Sequence, residues 1–275
     1  MGSQRRALEV SFPRIAGSED GAFFSRSQAA FYARLVFGIS AVLFGAASLL
    51  WRNSEMWNRL HRLGPSLGPS LASVAGWGIA IALVAGGAAI PYTRTMRSAS
   101  VVLGIVFGFF TLACVPDMIA APANPGSYVD VFEQFSIFCG ALAVYAATDR
   151  NTTRSARLGG IARISFGVCT ISFAWAQIVF FQYTASLVPG WIPPNGAFWT
   201  ILTTVAFGLA AIAILINRWA RSAMRLMALM VALFGMLVWL PQIVTHSETL
   251  SNWTEFGLNY LIAAASWLVA DVTTL

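Results

Sequence analysis

Eight apolar runs, each close to the ~20 residues that carry a helix across a bilayer, constrain this chain more than any other feature. They lie at about 34–51, 71–91, 98–119, 131–148, 161–182, 198–217, 222–243 and 254–272. Backbone groups in lipid find no water, so each run is predicted to be an α-helix that satisfies its own amides and carbonyls. Composition agrees, with 57% hydrophobic and only 10% charged residues, against roughly 25% charged in a soluble domain. The expected fold is an all-α integral membrane protein with eight transmembrane helices.

The runs divide into two sets of four. Asp130, Glu133 and Asp149 reappear as Asn252, Glu255 and Asp271 at a constant offset of 122. Ala33-Arg34-Leu35-Val36-Phe37-Gly38-Ile39 returns as Ala162-Arg163-Ile164-Ser165-Phe166-Gly167-Val168 at 129, Arg97-Ser98-Ala99 as Arg221-Ser222-Ala223 at 124, and Pro116 as Pro241 at 125. This reads as a tandem duplication whose drifting offset places short indels in the loops. Four helices per unit give both units one orientation, related by an axis along the membrane normal. The expected organisation is an N-terminal arm at 1–33, a first four-helix repeat at 34–149, a linker at 150–160 and a second repeat at 161–275, forming two parallel-related four-helix bundles.

All 17 basic residues are arginine. With the N-terminus inside, only Arg52, Arg59 and Arg62 fall on the outer side, so the positive-inside rule predicts cytosolic N- and C-termini. Topology thus accounts for the net charge of +6; membrane lipid is an implied partner and nucleic acid is not. The polar start reads as a cytosolic arm and not as a cleaved signal. An interfacial helix is expected at Glu55 to Leu63, a rigid turn at Leu187 to Pro194 anchored by Trp191 and Trp199, and close helix contacts at Gly86-Gly87 and Gly104-x-x-x-Gly108.

Polar residues at membrane depth are the candidate sites. Glu133 and Glu255 each follow a cap-type residue by three, which fits a capping box, and equally a proton or cation site at the outer edge. Trp175, Gln177, Gln182, Tyr183, Trp239, Gln242, Asn259 and Tyr260 gather toward the outer half of the second repeat, where the first repeat has, for example, Ile137 in place of Asn259. Convergent amides and rings there suit a small lipophilic molecule with a polar head, such as a quinone; interhelical hydrogen bonds explain the same residues without a ligand. At the inner face, pairing of first and fourth helices within each repeat would join Arg34 to Asp149 and Arg163 to Asp271.

The chemistry of other residue types is limited. His61 and His246 both fall in outer loops, so paired axial ligation of an intramembrane haem is not offered. His246 with Glu248 and Glu255 is a weak grouping, and no metal is predicted. Cys114, Cys139 and Cys169 sit in apolar runs without metal-type spacing; Cys114 and Cys139 lie at similar depth, and buried thiols are the usual case for such positions.

The run Val188-Pro189-Gly190-Trp191-Ile192-Pro193-Pro194, then Phe198-Trp199, Arg221-Ser222-Ala223 and Asn252-Trp253-Thr254-Glu255, resembles the DoxX-like family of four-helix bacterial membrane proteins. The resemblance covers about 160–272; the first half lacks the Trp-Ile-Pro-Pro turn. It implies a multi-pass protein of the bacterial inner membrane that supports a quinone-linked or other redox system, with quinone as ligand and a soluble or membrane oxidoreductase as partner. No catalytic motif comes with it, and whether the protein is an enzyme stays open. A carrier or binding protein for a lipophilic molecule and a structural membrane subunit are the alternatives.

Overall fold

The computed structural model describes the backbone of residues 17–50 and 69–273 and the side chains of 28–50 and 73–273. Nine helices, and no strand, occur among these residues: α1 (Gly17–Leu50), α2 (Pro69–Ala89), α3 (Met96–Ala120), α4 (Pro125–Ala147), α5 (Thr152–Val179), the short α6 (Phe181–Leu187), α7 (Gly196–Leu215), α8 (Ala220–Thr245) and α9 (Leu250–Val272). Each of the eight apolar runs coincides with a long helix. The expected helix at Glu55 to Leu63 and His61 lie outside the described residues.

Six helices are long and apolar enough to cross a membrane: Gln28–Leu50 of α1, and α3, α4, α5, α7 and α8. They turn side chains such as Ile105, Leu112, Leu209 and Leu226 outward, each more than half exposed, as suits a lipid-facing surface. The apolar part of α2, Ser73–Ala89, is shorter. α9 carries Asn252, Glu255, Asn259 and Asp271, and it is enclosed by protein: every residue from Leu261 to Ser266 is buried. A helix covered on all sides can hold polar groups that lipid would penalise.

α9 packs against α1, α4 and α8, while α4 packs against α3, α5 and α9. The first helix of each half therefore lies on the fourth helix of the other half. Instead of two separate four-helix bundles, the halves interlock around α4 and α9, and one hydrophobic core draws residues from both, from Phe37 and Phe107 to Phe166 and Leu261. Backbone closeness explains the centre: a Cβ at Gly140 on α4 would lie 2.5 Å from the Cβ of Ala265 on α9. Glycine there lets the helices meet where any side chain would hold them apart. Gly87 likewise meets α1, its Cβ position falling on the Gly38 carbonyl oxygen, whereas Gly104 and Gly108 have only ordinary contacts at 3.8 and 3.4 Å.

The structure revises several boundaries. α1 is already helical from Gly17, so the expected arm at 1–33 is partly helix; the stretch from Gln28 to Ala33 offers no glycine or proline to stop it. The expected linker at 150–160 is mostly the start of α5, whose N-cap is Asn151, accepting from the Arg154 amide at 3.0 Å. α4 begins with Asn124 as N-cap and Pro125 behind it, making Glu133 the ninth residue of the helix. Asn252 lies inside α9 and donates to the carbonyls of Gln242 and His246, both at 3.2 Å. Glu133 and Glu255 are therefore not capping-box residues.

The inner-face pairs also differ from expectation. Asp149 sits at the start of α5, where it accepts from the Asn151 amide at 3.0 Å and lies 3.2 Å from Arg154; a helix N-terminus is a favourable place for a carboxylate. Arg163 instead donates to the Ile214 carbonyl and, at 3.3 Å, to that of Leu215, closing the end of α7. Asp271 binds Arg225 at 3.1 Å and has Arg34 and Arg221 as further charged neighbours. Arg34 has Asp271 and not Asp149 as its charged neighbour because α1 lies on α9. In a double-mutant cycle read by thermal unfolding in detergent, Arg225→Ala and Asp271→Ala are expected to couple by about 1 kcal/mol, while Arg163→Ala and Asp271→Ala add. Additivity in the first cycle would remove the contact.

Candidate functional site

The candidate site is built where the chain leaves α5. After Val179 it forms α6, then a proline-rich turn, and these lie back on the start of α7: Gly196 packs against the Ala185 carbonyl with no space for a side chain. Prolines contribute no amide donors, so the turn is held by others. The Ile192 amide donates to the Pro189 carbonyl at 3.0 Å, the Trp199 indole to the Pro193 carbonyl at 3.0 Å, and Asn195 caps α7 by accepting from the Phe198 amide at 2.9 Å. Of the two tryptophans expected to anchor the turn, Trp199 is hydrogen-bonded to it, while Trp191 is exposed.

The opposite wall comes from a break in α8. Residues Gly235–Trp239 form a π turn in which the Leu240 amide reaches the Gly235 carbonyl. Pro241 supplies a cause: it has no amide for the carbonyl four residues back, and its ring presses on it, so the helix widens. Gly235 permits the ring of Tyr260 to approach, since a Cβ there would be 2.7 Å from it.

Between these walls lies a cavity of about 180 Å³ lined by Gln177, Trp199, Thr200, Thr203, Leu237, Trp239 and Asn259, with Val188, Pro189 and Ile192 of the turn. A second cavity of about 150 Å³ adjoins it through Gln177, Phe234 and Asn259 and is lined by both Glu133 and Glu255. Gln177 and Asn259 thus stand between an apolar chamber and a pair of carboxylates contributed by α4 and α9.

Of the residues singled out from sequence, Gln177, Asn259 and Trp239 line one cavity. Trp175 is exposed and packs edge-on against Tyr128 at 6.0 Å. Gln182, Tyr183 and Gln242 are exposed, and none lines either cavity. His246 lies 3.6 Å from Glu248 on the exposed loop before α9. All three cysteines are buried and unbridged, and Cys139 and Cys169 are near neighbours.

Sequence reasoning missed the threonines and the π turn. Thr200, Thr203 and Thr204 share one face of α7 at helical spacing, a signal present in the run Phe198 to Val205. The Thr203 and Thr204 hydroxyls lie 3.0 and 2.9 Å from the Gln177 carboxamide oxygen. Each hydroxyl also lies within 2.9 Å of a carbonyl four residues back, Trp199 for Thr203 and Thr200 for Thr204. One hydroxyl proton serves one acceptor. Exchanging the amide oxygen and nitrogen of Gln177, which are nearly identical in shape, completes the network: both threonines donate to their own helix and accept from the amide NH₂. The exchange frees the Gln177 oxygen from the threonines. Asn259 donates to the Glu255 carbonyl at 2.9 Å, leaving its own oxygen as acceptor. The chamber is thus lined by two carboxamides with acceptor capacity to spare, a lining suited to a ring that donates hydrogen bonds.

No protein-family model matches the chain, and no curated protein or solved structure matches it either. Fold and site define an all-α protein of several apolar helices with a chamber of mixed lining. Because both threonines are satisfied within α7, Gln177→Leu is expected to change unfolding stability by less than about 1 kcal/mol. A much larger loss in detergent melting would mean that the threonines depend on Gln177.

Proposed function

We propose that the chain is an eight-span membrane protein with cytosolic termini, made of two copies of a four-helix unit of DoxX-like kind in a bacterial inner membrane. Its second half holds the ring of a lipophilic molecule that bears hydroxyl groups, by class a quinol. The observation that carries this reading is the pair of carboxamides, Gln177 and Asn259, set in a chamber otherwise lined by threonines and by apolar and aromatic residues. Volume supports a head and not a whole ligand. The chamber of about 180 Å³ resembles the ~150 Å³ dry cavities that take up a benzene ring and falls below the ~300 Å³ of sites that enclose a drug-sized molecule. An isoprenoid tail would remain in the bilayer beside α6 and α7. As a holder of quinol the protein would serve a quinone-linked redox system together with a soluble or membrane oxidoreductase.

Two measurements test this. Reporter fusions after Asn124, Asn195 and Ser247 are expected to read outside and fusions after Thr93 and Arg150 inside; two reversals would break the eight-span topology. For the site, a short-chain benzoquinol should bind roughly tenfold more tightly than its benzoquinone by calorimetry, since two neutral hydrogen bonds favour the donor form. Gln177→Leu with Asn259→Leu should abolish that preference. Equal binding by the unaltered protein, or tighter binding of the quinone, would reject the hydrogen-bonding scheme.

A further inference from the structure

α3 and α4 enclose a second, quite different space on the outside of the protein. An apolar groove of about 510 Å³ runs between them, from Ser100 and Tyr145 at one end to Leu112 and Phe138 at the other, over a floor of Gly104 and Gly108. Twelve residues of α3 separate its ends, roughly 18 Å of helix at 1.5 Å per residue, which is about one leaflet of a ~30 Å hydrocarbon core. The glycines are not needed for the helix contact, since Cβ atoms there would meet α4 only at 3.8 and 3.4 Å. Their smallness leaves the groove open.

One end of the groove is charged. Arg97, exposed at the start of α3, has its guanidinium 5.3 Å above the ring of Tyr145 and 3.4 Å from the hydroxyl of that residue. Among the described residues no carboxylate pairs with it, and Arg94 is exposed one turn before it. The position aligned with Arg97 in the second half is engaged differently. Arg221 spends its donors on the Ala270 and Thr273 carbonyls at 3.2 and 2.6 Å, and Ala228 and Ala232 stand where the groove has Gly104 and Gly108.

We propose that this groove is a binding site for an anionic phospholipid, one acyl chain lying along Gly104 and Gly108 and the phosphate on Arg97. Charge selects the occupant: an unpaired guanidinium at headgroup level, at the mouth of a channel one leaflet long, complements a lipid with a net negative head. The inference rests on reading α3 and α4 as membrane spans.

The full chain, reconstituted in bilayer discs of equal phosphatidylglycerol and phosphatidylcholine and gently extracted, is examined by native mass spectrometry for retained lipid. Phosphatidylglycerol should be retained about fivefold over phosphatidylcholine, the factor given by one arginine at the membrane surface. Arg97→Gln, a change at an exposed position, should bring the ratio near one with lipid still bound. Gly104→Leu should remove the bound lipid while circular dichroism keeps its helical signal. Equal retention by the unaltered protein, or selectivity surviving Arg97→Gln, overturns the proposal. So does a dimer that Gly104→Leu dissociates with bound lipid unchanged, which would give the groove to a second copy. Protein washed from vesicles at alkaline pH overturns the spans and this site with them; inserted protein without selectivity overturns this site alone.

Discussion

The approach of α4 to α9 at Gly140 and Ala265 governs the rest of the structure. Two helices in contact at backbone distance form a central pair, and everything else is arranged on its flanks: α3 and α5 on α4, α1 and α8 on α9. Because α9 is covered by α1, α4 and α8, the core closes only when this helix docks. α1, the first described helix, is one of its walls. This enclosure is what allows α9 to carry an aspartate near one end and a glutamate near the other. Arg225 of α8 donates to the Asp271 carboxylate, with Arg34 and Arg221 as further positive charges nearby, and removing the one bonded partner from such a group costs more than the pair gains by forming.

The helices were legible because hydrophobic length is a local property of the sequence. Their partners were not, because the expected pairing of first and fourth helices within each set of four follows sequence order, whereas α1 packs on α9 and α5 on α4, contacts that no local pattern encodes. The same crossing reassigned the charges. Arg34 and Asp271 are visible as marked residues, yet their meeting depends on α1 crossing to the far half. The capping-box reading of Glu133 lost to a stronger local signal upstream, an asparagine followed by proline at the first helical position, which starts α4 more than a turn earlier.

Within the site, the sequence identified residues better than it identified faces. Val231, Gly235, Val238 and Gln242 lie on one stripe of a regular helix, so Gln242 would be expected inward along with Val231. The π turn adds one residue to that stretch, which rotates all that follows by about 100° in a 3.6-residue helix. Gln242 turns out and Ile243 turns in, buried at 6% exposure. Trp239, within the turn itself, remains on the chamber. Gln177 and Asn259 both line the chamber, and α5 and α9 keep a regular pitch through those positions.

Positions aligned in sequence differ around the chamber. Pro116, aligned with Pro241, sits in an α3 that stays α-helical throughout, so no widened turn forms a wall there. At the offset of Asn259 stands Ile137, fully buried in the core. At that of Gln177 stands Ser48, whose hydroxyl donates to the Phe44 carbonyl of its own helix at 2.9 Å. Each change exchanges a group able to reach across a cavity for one satisfied within its own helix or by packing. At the surface, Gly104 and Gly108 form the floor of the groove between α3 and α4, and the aligned positions hold Ala228 and Ala232. A methyl group at each of those positions occupies the space that glycine leaves free.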